Sequence, residues 1–126
     1  MGRVLLVGLG GFLGSALRYL VGTWVGRMKA GWPFPIETLL INVAGCVVIG
    51  FLGGLGESRG MFSPPTRAFL FIGVLGGFTT FSTFGHETFQ LLRAAQVPTA
   101  FASVALQLGL GLGGVWAGHE LSRLVS

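Results

Sequence analysis

Four long apolar segments alternate with short polar linkers along the chain. They cover residues 4–25, 36–55, 67–92 and 99–121. A run of about 20 mostly apolar residues can cross a membrane as a helix. Prolines precede the last three segments, where the first turn of a helix tolerates them. The pattern therefore predicts an all-α membrane protein in which residues 1–126 form a single transmembrane domain of four helices.

Composition leads to the same class. Of the 126 residues, 52% are hydrophobic and 10% are charged, whereas soluble domains carry about 25% charged residues. A soluble chain this small has too much surface to bury so many apolar side chains. We therefore expect membrane lipid to surround most of the chain.

Glycine is unusually common, with 23 residues. Many glycines stand four residues apart within the apolar segments, a spacing that lets membrane helices approach closely. Six such pairs predict a compact bundle: Gly10/Gly14, Gly22/Gly26, Gly50/Gly54, Gly73/Gly77, Gly109/Gly113 and Gly114/Gly118.

The basic residues are scattered and mostly flank the apolar segments, so the net charge of +4 does not indicate a nucleic-acid partner. Membrane proteins are normally oriented by an excess of Lys and Arg in their cytoplasmic loops. Here the two sides are nearly balanced, which permits two arrangements. The chain either inserts in both orientations and forms an antiparallel dimer, or takes one orientation fixed by one or two charges. The side with the termini holds Arg3, Arg59, Arg67 and Arg123, and the other holds Arg27, Lys29 and Arg93.

The third segment contains the run Gly-Gly-Phe-Thr-Thr-Phe-Ser-Thr-Phe at residues 76–84. Glycine and threonine are poor helix formers, so the run predicts a break in the middle of the span. Backbone carbonyls freed by a break are tolerated in a membrane only where protein, water or a ligand satisfies them. Carbonyls that point inward would suit a cation such as Na⁺.

The same run also carries groups that suit an anion. Phe81 and Phe84 lie three residues apart on one helix face, and aromatic ring edges carry partial positive charge. Ser82 and Thr83 add hydroxyl donors. Together these groups suit a small anion that has lost its water, although an isolated phenylalanine in an apolar helix more often serves as packing or lipid-facing bulk.

Polar residues in the other segments allow a structural and a functional interpretation. Arg18 either snorkels to the membrane surface or attracts anions at a pore mouth. Thr38 and Asn42, which share a helix face, either bond neighbouring helices or face an aqueous path. Glu87 lies either at the interface or within the span. One face of the fourth segment forms either a packing stripe or a polar wall, and its members are Ser103, Gln107, Gly111, Gly114 and Gly118.

Catalysis is not indicated by any of these residues. His86 and Glu87 stand without a nucleophile to activate, and the single cysteine, Cys46, lies in an apolar run where a small buried side chain is expected. A nucleophile–base pair, which most covalent mechanisms need, is not apparent. We therefore do not expect an enzyme.

Three motifs together resemble a known family. The run at 76–84, with Glu87 three residues on, resembles the signature of the Fluc (CrcB) fluoride channels. Residues 14–19, Gly-Ser-Ala-Leu-Arg-Tyr, are similar to the family's first-helix pattern Gly-x-x-x-Arg-Tyr. Residues 38–45, Thr-Leu-Leu-Ile-Asn-Val-Ala-Gly, are similar to its second-helix pattern Thr-x-x-x-Asn-x-x-Gly. Length and four-span layout also match, so the resemblance covers essentially the whole chain.

The resemblance implies a fluoride-selective channel of the inner (cytoplasmic) membrane. Fluoride would leave the cell passively through this channel, which would lower fluoride toxicity inside the cell. The family forms antiparallel, dual-topology homodimers with two fluoride paths and a structural Na⁺ at the interface. The Na⁺ ligands map to the backbone carbonyls of Gly76 and Thr79, and Arg18 maps near the vestibule. The fluoride path maps to Asn42, Phe81, Phe84, Ser82 and Thr83, with Thr38 and Glu87 at its end.

The chain departs from the family pattern in two places. Members often carry Tyr and Ser in steps of four along the fourth helix, where this chain has Ser103, Gln107 and Gly111. The pathway roles of Ser103 and Gln107 therefore stay open. Glu37 stands where a small residue is more usual.

Two other functions are kept as alternatives. One is a small multidrug-type, proton-coupled antiporter, which needs a carboxylate deep in the first helix; the first segment here has none. The other is a non-transporting membrane subunit that binds a larger partner. Fluoride flux through the purified chain would separate the channel from both.

Overall fold

Four helices make up most of the computed structural model, which describes residues 1–125. They are α1 (Gly2–Met28), α2 (Ile36–Arg59), α3 (Pro64–Arg93) and α4 (Val97–Val125). Each is long and apolar enough to cross a membrane, and the described residues contain no strand. The predicted all-helical class with four spans is confirmed. The helices are longer than the apolar segments because helical bonding continues into the polar flanks.

Local signals explain where the helices begin and end. The hydroxyl of Ser63 accepts the N–H of Thr66 at 3.4 Å, while Pro64 and Pro65 fill first-turn positions of α3 that need no N–H. α2 ends before Gly60, whose left-handed backbone (φ 58°) directs its N–H to an earlier carbonyl of the helix. The resulting linkers are short, so consecutive helices run antiparallel.

The third span is not one regular helix. Its first arm, residues 64–78, includes a π-helical stretch over Ala68–Leu75 and closes with Gly76–Phe78. Thr79 and Thr80 are extended, with ψ angles of 160° and 119°. The second arm then restarts as an α-helix over Phe81–Arg93. This interruption falls inside the run in which the sequence predicted a break.

Glycine contacts hold the helices in two close pairs. α1 packs on the first arm of α3, and α2 packs on α4. A Cβ atom added to Gly14 would lie 2.8 Å from the backbone nitrogen of Phe78, closer than real side chains approach. Between α2 and α4, Gly50 and Gly118 meet opposing backbone in the same way, whereas Gly54 meets the side chains of Ser122 and His119. Most of the predicted pairs serve this packing, but Gly109 and Gly113 face open space.

The interruption of α3 lies where these pairs meet. The first arm of α3 packs on α1, whereas its second arm packs on α4. On α2, Gly45 leaves the space that the side-chain methyl of Thr79 occupies, since a Cβ at this position would collide with it. α2 therefore closes one side of the break.

Candidate functional site

Asn42, on α2, forms hydrogen bonds with the backbone at the interruption of α3. The Oδ1 atom of Asn42 accepts the backbone N–H of Thr80 at 2.8 Å, and its Nδ2 atom donates to the carbonyl of the same residue at 3.0 Å. Backbone groups without partners are costly in a membrane. Asn42 thus satisfies both peptide groups of Thr80. From sequence we placed Asn42 on the fluoride path; in the structure its amide supports the break.

A threonine caps the second arm of α3. Thr80 Oγ1 accepts the N–H of Thr83 at 3.3 Å and donates to the Thr83 hydroxyl at 3.0 Å. A Ser or Thr that accepts in this way satisfies one of the free N–H groups of a first helical turn. Thr80 was not among the predicted site residues. A threonine directly before the restart of a helix is the signal that would have identified it.

These side-chain bonds leave two backbone carbonyls without their helical donors. In a continuous helix Gly76 would accept from the N–H of Thr80, and Thr79 from that of Thr83. Thr80 donates to Asn42 instead, and Thr83 donates to the Thr80 hydroxyl. Gly76 and Thr79 are the residues whose carbonyls were expected to bind Na⁺. Freed carbonyls at a helix break are suitable Na⁺ ligands, so the chemistry of these two residues is compatible with the ion.

An open groove of about 350 Å³ lies beside the break. Phe81 and Phe84 form part of its wall, with ring centroids 5.5 Å apart in an edge-to-face arrangement. Phe81 is 81% exposed, so within one chain its ring lacks a covering element. The polar side of the groove comes from α2, the break and α4, through Asn42, Gly76, Thr79, Thr80 and Gln107.

One hydrogen-bond donor beside this groove has no partner. Asn42 Nδ2 donates to Gln107 Oε1 at 3.2 Å. The orientation follows from Thr80, whose N–H requires Asn42 Oδ1 as its acceptor and so turns Nδ2 toward Gln107. The Nε2 atom of Gln107 is then buried without an acceptor among the described residues. Such a donor costs about 1–3 kcal/mol, which an anion or a water molecule would remove.

A second, polar cleft of about 430 Å³ meets the groove at Thr80. The hydroxyl of Thr38 donates to Glu87 Oε1 at 2.7 Å. Arg18 and Thr83 line the same cleft. The structure thus brings together a cation, two hydroxyls and one carboxylate that the sequence placed on three different helices.

Glu37, which is unusual in the family pattern, also lines this polar cleft. Its carboxylate lies 2.9 Å from the ammonium group of Lys29. The side chain of Glu37 is 21% exposed and that of Lys29 is 27% exposed, so the pair is partly shielded from water. Lys29 also lines an adjoining cleft with His86 and Glu87. Lys29 therefore balances the charge of Glu37, while Arg18 and Glu87 are the other charged residues that line the polar cleft.

Ser82, a predicted pathway residue, and Ser103, whose pathway role was left open, lie outside both clefts. Ser82 is exposed on the second arm of α3, with its hydroxyl 3.5 Å from that of Thr80. Ser103 is fully buried, and its hydroxyl has no partner among the described residues. The glycines on the same face of α4 pack against α2 at Cys46 and Val47. On this face of α4 the glycines thus pack on α2, while Gln107 lines the groove.

Comparison with known proteins decides the family. Residues 5–119 match the family described as CrcB-like protein, Camphor Resistance (CrcB). The chain belongs to the CrcB family. This family includes the fluoride channels whose motifs it was found to resemble, so the assignment made from sequence is confirmed.

Several relatives of this CrcB chain are named "Fluoride-specific ion channel FluC". One from Methylobacillus flagellatus is 45% identical over 98% of this chain and 97% of its own length. One from Rhizobium meliloti is 46% identical over 98% of each chain. Another from Clostridium novyi is 40% identical over 96% of this chain and 94% of its own length. The matches therefore extend over all four helices and both clefts.

Proposed function

We propose that this CrcB chain is a fluoride-selective ion channel that lets fluoride leave the cell across the inner (cytoplasmic) membrane. One observation carries the proposal: the groove at the break combines an edge-to-face phenylalanine pair with the unpartnered donor of Gln107. Fluoride is small and strongly hydrated, so its path must replace water with donors and positive ring edges. Relatives named as fluoride-specific channels support the assignment.

The proposed path joins the two clefts at the break. Arg18 raises the local concentration of anions in the polar cleft, and the ion then passes Thr80 to reach Phe81 and Phe84. Both hydrogens of Asn42 Nδ2 are engaged, so Asn42 acts here by holding the break and orienting Gln107. The sequence shows no nucleotide-binding motif to drive a pump, so flow follows the fluoride gradient.

The proposal includes a second, inverted copy of the chain and a structural Na⁺. The exposed ring of Phe81 and the open side of the groove offer a surface for that copy, and the balanced Lys and Arg count permits both orientations. Two carbonyls per chain, at Gly76 and Thr79, give four ligands when two breaks meet. Bound there, Na⁺ would satisfy the freed carbonyls and hold the two chains together.

Fluoride efflux from liposomes that contain only the purified chain tests the function. We expect rapid loss of fluoride and retention of chloride. Phe81→Ile and Phe84→Ile should slow the efflux, whereas Phe12→Ile, which changes a 70% exposed ring on α1, should not. Absence of efflux would favour a non-transporting subunit, and proton-coupled movement of organic cations would favour the antiporter.

The Na⁺ and the dimer are tested separately from conduction. Exchange of Na⁺ for N-methylglucamine should lower the thermal midpoint of the purified protein and shift it toward monomer in light scattering. Replacement of one large anion by another at constant Na⁺ concentration serves as the control. A dimer that is indifferent to Na⁺ would contradict the role given to Gly76 and Thr79, without contradicting the channel.

A further inference from the structure

A groove separates the beginnings of α1 and α3. Its volume is about 570 Å³. It ends toward the middle of the span, where a Cβ on Gly10 would lie 2.9 Å from the Cα of Gly73. Both helices start at the same membrane surface, so the groove runs from that surface into the bilayer. Residues along it include Arg3, Val4, Val7, Arg67, Phe71 and Ile72.

Two arginines stand at the outer end of this groove without a carboxylate partner. Within residues 1–125, the ion pairs join Lys29 to Glu37 and Arg123 to Glu120, and neither Arg3 nor Arg67 takes part in one. The guanidinium carbon of Arg67 lies 5.2 Å from the ring centroid of Phe71. This cation–π contact holds the charge over the groove. The groove therefore combines two available cations with apolar walls.

We infer that this groove binds an anionic phospholipid, with the phosphate between Arg3 and Arg67 and an acyl chain along Val7 and Phe71. Guanidinium groups bind phosphate oxygens through paired hydrogen bonds, and basic pockets between membrane helices recognise anionic head groups. A soluble anion would interact with the arginines alone. The phosphate of a phospholipid would interact with the arginines while its acyl chain packs on the apolar walls. The inference does not depend on the proposed channel function.

Thermal unfolding of the purified protein with added lipid tests the site. The comparison uses phosphatidylglycerol and phosphatidylcholine of equal chain length, with the chain itself and two double variants, Arg3→Gln/Arg67→Gln and Arg59→Gln/Arg93→Gln, the second of which removes one arginine from each side of the membrane. Arg93 is a matched control, because its guanidinium lies 6.0 Å from the ring centroid of Phe89 but does not line the groove.

We expect phosphatidylglycerol to raise the midpoint of the unchanged protein and of the control variant more than phosphatidylcholine does. The Arg3→Gln/Arg67→Gln variant should lose this preference, because its affinity for phosphatidylglycerol should fall about five-fold for each arginine removed. Both arginines are exposed, so the variant should fold. Arg3→Lys/Arg67→Lys keeps the charges but not the paired hydrogen bonds, and should retain part of the preference.

Three results would overturn the inference. An equal preference for phosphatidylglycerol in both Gln variants would mean that the lipid responds to overall charge. A similar rise with inorganic phosphate alone would reduce the site to one for a free anion. Loss of the dimer in Arg3→Gln/Arg67→Gln, with no change in lipid preference, would show that a second copy of the chain occupies the groove.

Discussion

Asn42 and Thr80 form a two-way hydrogen-bonded pair in which the side-chain oxygen of Asn42 accepts at 2.8 Å and its nitrogen donates at 3.0 Å. One side chain on α2 thereby replaces the bonds that a continuous α3 would have made. The same nitrogen donates to Gln107 and fixes which of its amide atoms is left free. The freed carbonyl of Gly76 and the free donor of the groove both depend on this amide.

Asn42→Leu should therefore destabilise the protein and stop fluoride efflux. Loss of the amide leaves the peptide groups of Thr80 unpaired, at a cost of about 1–3 kcal/mol. Thermal unfolding in detergent and liposome efflux measure the two effects. Ser15→Ala is the control, because the Ser15 hydroxyl bonds only to carbonyls of its own helix. An unchanged midpoint together with normal efflux would contradict the assigned role of Asn42.

Gln107→Met should slow efflux and lower stability less than Asn42→Leu does, because it removes the Oε1 acceptor of Asn42 but leaves the bonds between Asn42 and Thr80 in place. Methionine keeps the length of the side chain but removes the unpartnered Nε2 donor. A hydrogen bond to an anion contributes about 1.5–3 kcal/mol, so we expect efflux to fall by a factor between about 10 and about 100. Leu108→Met, in the same groove, controls for the change in packing. Normal efflux in Gln107→Met would place the ion path away from this donor.

The spans and the break could be predicted from sequence because both depend on local properties. Runs of apolar residues decide what lies in the membrane, and the low helix propensity of Gly and Thr acts within a single segment. The pairing of Phe81 with Phe84 follows from a spacing of three on one helix. These features need no knowledge of how the helices pack.

The bonds at the site could not be predicted in the same way. Asn42 and Thr80 are 38 residues apart, and Thr38 and Glu87 are 49 apart, so their meeting depends on the crossing of α2 and α3. The free donor of Gln107 is decided only after the Asn42 amide has been oriented. Such partnerships are set by packing, which the small residues of the helices permit but do not specify.

Glu37→Gln should increase fluoride efflux at low ionic strength. The change removes the carboxylate that pairs with Lys29 at 2.9 Å and leaves the ammonium charge beside the polar cleft. A single added charge at this range raises the local anion concentration about two-fold, and salt screens the effect. Efflux measured at low and at high ionic strength should differ for this variant.

Glu120→Gln is the control for Glu37→Gln. It breaks the exposed Arg123–Glu120 pair, which does not line the polar cleft, and should leave efflux unchanged. An equal increase in both variants would trace the effect to overall charge. No increase in Glu37→Gln would show that the ion does not approach through the cleft that Glu37 lines.

Gly14→Ala should be far more harmful than Gly113→Ala, although both change a glycine within a membrane helix. At Gly14 the new methyl group would meet the backbone of Val74 and Phe78, and such overpacking costs about 1–3 kcal/mol. At Gly113 no atom lies within 4 Å, so alanine gains up to about 1 kcal/mol in helix propensity. Thermal midpoints of the two variants measure the difference. Because Phe78 directly precedes the break, a shift of α3 away from α1 should also slow efflux in Gly14→Ala, and equal midpoints in the two variants would contradict the close packing of α1 on α3.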